Sequence, residues 1–220
     1  MAVHYRSHGI FLKKSARGEA DELFAVYTKD FGKLNISGKA IRKTTSKLRG
    51  GAELFYLSDI EFIQGKSSKI LTDAVLIENF KNTRHDLAKL RVAHKIAELL
   101  NGLAAKEEKD EKLWGLLLEV FNKLDNWKIE NSLEFGNWKL EILYYYFFWH
   151  LVSILGYRPD ISGCSIGGQK INCDAVKIIK IILKEDWHIL SRLKIEPIHW
   201  KLLEAISKWY NNDVVGRSDL

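Results

Sequence analysis

Cysteine and the usual catalytic signatures are what this sequence has least of. Only two cysteines, Cys164 and Cys173, occur in 220 residues, too few for the disulfide framework of a small secreted scaffold. No apolar leader with a small-residue cleavage site follows Met1, so a cytoplasmic location is expected. The most membrane-like run, Ile142 to Leu155, is interrupted by His150 and Ser153. It falls short of the roughly 20 residues that span a bilayer and reads as a buried helix, with no membrane partner. The 7 histidines are scattered, and no His-Glu-x-x-His, paired-cysteine or Asp-x-Asp spacing gathers metal ligands. His4 and His8 share a strand face but have no third ligand, so they read as a polar strand face. A Gly-x-x-x-x-Gly-Lys-[Ser/Thr] phosphate loop is missing, and the Gly-x-Ser-x-Gly run at Gly163-Cys164-Ser165-Ile166-Gly167 follows no expected strand, so it does not read as a nucleophile elbow. Gly167-Gly168 follows no strand and reads as a turn. Hydrolytic and ATP-driven mechanisms have no visible machinery, no catalytic residue is assigned, and a nuclease built from dispersed carboxylates is the only enzymatic alternative. Internal repeats, low-complexity tracts and coiled-coil heptads are absent as well.

What is present is enough apolar material, 46% of residues, for one large core or two modest ones. Residues 1–80 carry short β-branched and aromatic runs between Gly and polar clusters. Five strands are expected: His4 to Lys14, Asp21 to Thr28, Phe31 to Ala40, Glu53 to Gln64 and Lys69 to Ile77. Alternation is clearest at Leu34/Ile36 and Ile60/Phe62, and Gly18 and Gly32 mark turns. So small a sheet exposes two edges unless it curls, and the OB-fold is the small barrel that curls this way. An SH3-like barrel would use similar strand lengths.

After Phe80 the period becomes helical. Leu87, Leu90, Ala93, His94, Ala97 and Leu100 define one amphipathic helix. Beyond the charged linker Lys106 to Lys112, Leu113, Leu116, Leu117, Val120, Phe121 and Leu124 define a second. Trp138 to Leu155 is apolar nearly all round and belongs at the centre of a helical domain. Gly156 closes it and Pro159 prevents its resumption. Helices are also expected over Asp174 to Glu185 and Glu196 to Tyr210, the latter with Pro197 in its first turn. The fold class is therefore α+β: a five-stranded barrel over residues 1–80, then an all-α helical domain over residues 81–220.

The formal charge is +6, which favours a polyanionic partner. The strand-rich part is the more basic. Lys33, Lys39, Arg42, Lys43, Lys47 and Arg49 occur with no acidic residue between Asp30 and Glu53. A flexible cationic loop between the third and fourth strands suits a phosphate backbone, because each neutralised phosphate releases counterions. A solvated loop kept basic for solubility is the competing reading. Thr44, Thr45 and Ser46 are equally phosphate donors or loop filling. Tyr27, Phe31, Phe55, Tyr56 and Phe62 are available for base stacking, but alternation turns about half of them inward.

Several motifs resemble the RecO family of recombination mediators. Gly9-Ile10-Phe11-Leu12 followed by Gly18-Glu19-Ala20-Asp21 is similar to its opening strand and turn. Thr28-Lys29-Asp30-Phe31-Gly32-Lys33 is similar to its T-x-x-x-G-x hairpin. Gly38-Lys39-Ala40-Ile41-Arg42-Lys43 with Ser46-Lys47-Leu48-Arg49-Gly50 resembles its basic loop. Ala97-Glu98-Leu99-Leu100 sits where the family has its first long helix, and Leu155-Gly156-Tyr157-Arg158-Pro159 with Cys164 resembles L-G-[YF]-x-P-x-L-x-x-C.

The resemblance implies a non-enzymatic DNA repair and recombination protein of the bacterial cytoplasm, associated with the nucleoid. Its OB-fold would bind single- and double-stranded DNA and anneal complementary strands, and the protein would act with RecR to load RecA. It places DNA contact on Lys39, Arg42, Lys43, Lys47 and Arg49, residues that the charge pattern also selects. A sequence-independent RNA-binding OB protein is the alternative. The resemblance further implies recognition of the acidic tail of single-strand binding protein. Lys177, Lys180 and Lys184, with Val176, Ile179, Ile182 and Leu183 beside them, are the candidate surface. The family's zinc site is degenerate here, because only Cys164 and Cys173 remain of two Cys-x-x-Cys pairs. Two thiolates do not close a tetrahedral site, so no cofactor is expected. Loop 157–174 is expected to be held by packing, without a disulfide.

Overall fold

Gly9 lies where one strand passes between two others: a Cβ there would meet Val26 Cγ1 at 2.7 Å and Ile60 Cδ1 at 3.2 Å. That strand, β1 (His4–Arg17), is long because it serves two neighbours. Its first half pairs antiparallel with β4 (Leu57–Gln64), and its second half pairs antiparallel with β2 (Asp21–Thr28). A bulge between Phe11 and Lys13 bends it from one partner to the other, the usual device for curling a sheet. β2 continues into β3 (Gly32–Gly38), and β3 pairs parallel with β5 (Lys69–Glu78), which returns antiparallel to β4. The order β1-β2-β3-β5-β4 closes a barrel. This is the OB-type five-stranded architecture, and closure removes the exposed edges.

The computed structural model describes residues 3–127, 138–184, 187–193 and 195–216. Alternation in β2 to β5 fills the barrel with Phe24, Val26, Leu34, Ile36, Ile60, Phe62 and Leu71, which join Phe11 of β1. Each such side chain contributes about 1.5–3 kcal/mol by leaving water. The fourth strand starts later than the sequence pattern indicates. Residues 53–56 form a turn in which Phe55 adopts φ +64°. Its N–H donates to the Phe11 carbonyl at 2.8 Å, and its buried ring packs against His94 and Phe121. Tertiary packing has here overridden a strand-like composition.

Packing divides the chain into two compact units, Met1–Asn126 and Trp127–Leu220. The first therefore contains the barrel and the helices α1 (Lys81–His85), α2 (Leu87–Leu103) and α3 (Glu111–Asn126). The change from strand to helix near Phe80 is thus not the place where the packing divides. Asp86 caps α2 by accepting from the N–H groups of Ala88 and Lys89, and Asp110 caps α3 by accepting from that of Leu113.

The second unit is built around α4 (Trp138–Ile154), where Leu143, Phe147, Trp149, Leu151 and Val152 are fully buried. Gly156 follows at φ +93°. Three two-residue strands then form a small meander: β6 (Ile161–Ser162), β7 (Ser165–Ile166) and β8 (Gln169–Lys170). The helices α5 (Cys173–Leu183), α6 (Trp187–Arg192) and α7 (Pro197–Tyr210) complete the unit. Glu185, the expected end of the helix after the loop, lies outside the described residues. The expectation that loop 157–174 lacks a disulfide is corrected: Cys164 and Cys173 are bonded, with Cα atoms 4.6 Å apart. The meander turns Cys164 back to the head of α5, within the range a bridge can span.

Candidate nucleic-acid interface

The segment joining β3 to β4 alternates anchors with cations. Ile41 and Ala52 are buried in the barrel core, and Leu48 packs against it. Arg42, Lys43, Lys47 and Arg49, between these anchors, are all exposed. Local turns set the spacing. Lys43 N–H donates to the Ala40 carbonyl, Ser46 N–H to that of Lys43, and a 3-10 turn follows over Lys47–Gly50. These hydrogen bonds fold the segment into consecutive turns.

A carboxylate distant in sequence clasps the start of the segment. Asp21 accepts the Ala40 N–H at 2.8 Å and the Lys39 ammonium at 2.7 Å. The Ala40 hydrogen bond first, and Lys39 second, hold the Asp21 carboxyl below its usual range. Ala40 itself sits at φ +52°, a conformation that needs such support. At the other end, a Cβ on Gly51 would lie 2.0 Å from the Ala74 carbonyl oxygen. Only glycine allows the segment to lie this close to β5, and Ser58 Oγ donates to the Gly51 carbonyl beneath it.

Arg42 and Arg49 line a common cleft of about 240 Å³, together with Lys14, Glu22 and Glu53. Lys14 and Glu53 pair at 2.7 Å across it. Among the described residues, no carboxylate pairs with Arg42, Lys43, Lys47 or Arg49, so their charges face solvent. Lys39 is exposed but neutralised by Asp21.

Lys33 leaves the candidate set. It lies on the face of β3 opposite Leu34 and Ile36, covered by α2 and only 8% exposed, and its ammonium donates to the Asn101 carbonyl at 2.7 Å. Burial, and secondarily Lys106, lower its pKa. A buried cation already satisfied at the end of α2 ties helix to barrel and does not reach a phosphate. Sequence spacing placed it with the loop because the packing of α2 over β3 is invisible in a charge count.

The aromatic residues divide cleanly. Tyr27, Phe55 and Phe62 are buried, so they are unavailable to bases. Tyr56 is half-buried against the core with the Arg84 guanidinium 4.4 Å over its ring. The half-exposed Phe31 and the exposed Tyr5 meet edge to face. They lie at the β1 end that pairs with Phe62, whereas Lys14 and the cationic cleft lie at its other end. These two rings therefore lie away from the cationic segment.

In the second unit, the apolar half of the candidate tail-binding surface is corrected. Val176, Ile179 and Ile182 are core residues of α5, so they line no open pocket, and Leu183 is half-buried. Lys177 pairs with Asp174 at 2.9 Å, while Lys180 and Lys184 are exposed. Among the described residues, no group of three or more His, Cys, Asp or Glu side chains could hold a metal ion. No described helix is long and apolar enough to cross a membrane.

A closed OB-type barrel with an ordered cationic segment, followed by a helical region, defines the class. Comparison with known proteins gives the family. Residues 1–80 match the family model described as Recombination protein O N terminal, and residues 84–178 match Recombination protein O C terminal. A protein named DNA repair protein RecO from Thermoanaerobacter sp. (strain X514) is 27% identical over 220 aligned residues, covering 88% of this chain and 85% of the relative. One of the same name from Dehalococcoides mccartyi (strain ATCC BAA-2266 / KCTC 15142 / 195) is 27% identical over 219, covering 87% and 83%. Another from Trichodesmium erythraeum (strain IMS101) is 28% identical over 176, covering 79% and 60%. The chain belongs to the RecO family, and its role lies in DNA repair.

Proposed function

We propose that this protein is a non-enzymatic mediator of recombinational repair that binds single- and double-stranded DNA through Arg42, Lys43, Lys47 and Arg49 and anneals complementary strands. Lys39 contributes at the edge of this surface when DNA competes with Asp21 for its ammonium. The single observation that carries the reading is the exposure of four unpaired cations on an ordered segment that contains no acidic side chain. Point charges held at fixed spacing suit the repeating phosphates of a backbone and read no base sequence.

Within this reading the DNA-binding domain is residues 1–80 and the helical domain is residues 81–220. The protein acts with RecR in loading RecA in the bacterial cytoplasm and at the nucleoid. It receives the acidic tail of single-strand binding protein on the helical domain, with Lys180 and Lys184 as the cations on offer.

The test is annealing of complementary oligonucleotides coated by single-strand binding protein, using the full chain. The expected result is faster annealing than without protein, with no strand cleavage in Mg²⁺. Equal or tighter affinity for RNA of the same length, with no annealing of DNA, would move the assignment to an RNA-binding barrel. Mg²⁺-dependent cleavage would make it a nuclease.

A further inference from the structure

The Cys164–Cys173 bridge joins two surface positions. Cys164 lies in the turn between β6 and β7, Cys173 is the first residue of α5, and both are exposed. The meander that the bridge fastens has little else to hold it. Its strands are two residues long, and strands this short are not stable alone. Ile166 is its one buried side chain. The Ile171 N–H donates to the Cys164 carbonyl at 2.8 Å, and the Gly167 N–H to that of Asp160 at 2.9 Å.

We infer that the Cys164–Cys173 bridge is a thiol–disulfide exchange site for small thiols, and that its opening releases the β6–β8 meander from the head of α5. An exposed disulfide admits the attacking thiolate that a buried one excludes. The two sulfurs are not equivalent. A thiolate departing from Cys173 forms at the positive end of an 11-residue helix, whose dipole favours negative charge although the Asn172 side chain already accepts the Asp174 and Ala175 N–H groups. The adjacent Asp174 is engaged by Lys177 at 2.9 Å, and His199 lies 3.9 Å from it, which offsets its repulsion.

Attack therefore falls on the Cys164 sulfur. A small thiolate forms a bond to Cys164 Sγ, the Sγ–Sγ bond breaks, and its electron pair leaves on Cys173 Sγ, which takes up a proton. A second thiolate then attacks the sulfur of the first thiol in the mixed disulfide and frees Cys164, which is protonated in turn. The protein disulfide is reduced by two electrons, and two thiols are oxidised to one disulfide.

The test uses the full chain, purified without reductant and never exposed to denaturant. It is treated with reduced glutathione, quenched with iodoacetamide and mapped by mass spectrometry, with amide hydrogen exchange followed in parallel. The expected result is a transient glutathione adduct on Cys164, then two alkylated cysteines. Exchange over residues 160–172 should rise at least tenfold, with exchange over 138–154 and 4–78 unchanged. A bridge that opens only when the chain unfolds globally overturns the exchange site. So does a protein that carries two free thiols and fails to close in oxidised glutathione. An adduct on Cys173 overturns the direction of attack, and unchanged exchange over 160–172 after opening overturns the release of the meander. The double variant Cys164→Ser/Cys173→Ser should reproduce the reduced exchange pattern and ignore glutathione. Wild-type protein reduced and alkylated supplies the same comparison independently of how well that variant folds.

Discussion

Neutralising Arg42, Lys43, Lys47 and Arg49 together by Gln removes up to four phosphate contacts without touching an ion pair or the core. The magnitude follows from counterion release. Each contact contributes about 0.7 to the slope of log affinity against log salt on single strands and about 0.9 on duplex, so the slope should flatten by roughly 2.8 and 3.6 respectively. Between about 50 and 200 mM salt, wild type should then lose roughly 50-fold more affinity than the variant on single strands and roughly 150-fold more on duplex. Stability should stay within about 0.5 kcal/mol of wild type, because exposed unpaired cations contribute little to folding. Fluorescence anisotropy over a salt series, with chemical denaturation as the folding control, measures both quantities. Lys39→Gln is the internal comparison: its ammonium is held by Asp21 at 2.7 Å, so its slope change should be smaller than that of any one of the four. A quadruple variant with an unchanged slope would refute the assignment, and a slope change concentrated at Lys39 would refute the argument that ion pairing withholds charge from DNA.

Lys33→Met should leave that slope alone and cost about 1–3 kcal/mol in urea unfolding, because the Asn101 carbonyl loses a charged donor in a part-buried site; an altered slope with unaltered stability would return Lys33 to the interface. Gly51→Ala should destabilise by about 1–3 kcal/mol, the cost of overpacking against backbone that cannot move aside, and should also weaken DNA binding by displacing the cations at Lys47 and Arg49. A variant as stable as wild type would show that the approach to Ala74 is not tight. Asp21 has a folded pKa below its ordinary 3.8, so its contribution is present above that value and is lost as pH falls through the lower folded one. Asp21→Asn should therefore flatten the fall of melting temperature below about pH 4, and an identical acid profile would remove the clasp.

The barrel was legible in the sequence because strand alternation at Leu34/Ile36 and Ile60/Phe62 is a local pattern, and local patterns survive without knowledge of partners. The interface was legible only in part. The acid-free run that selected Arg42, Lys43, Lys47 and Arg49 is a property of consecutive residues. Parity puts Lys33 on the outer face of β3, opposite Leu34 and Ile36, and only the packing of α2 over that face buries it. Asp21 gave no signal either, since it meets Ala40 and Lys39 across 19 and 18 residues of chain, and a carboxylate at a strand start looks like ordinary turn chemistry. The same reasoning explains α5. Helical spacing correctly put Lys177, Lys180 and Lys184 on one face, but no spacing rule says whether the adjoining Val176, Ile179 and Ile182 face a ligand or the core. The core took them, because α4 offers a surface apolar all round that must be covered on every side. A central helix of that kind absorbs the apolar faces of its neighbours. In the proposed reading, a pocket for an apolar-ended peptide would be built from residues that α4 leaves uncovered, with the exposed cations Lys180 and Lys184 steering the tail electrostatically.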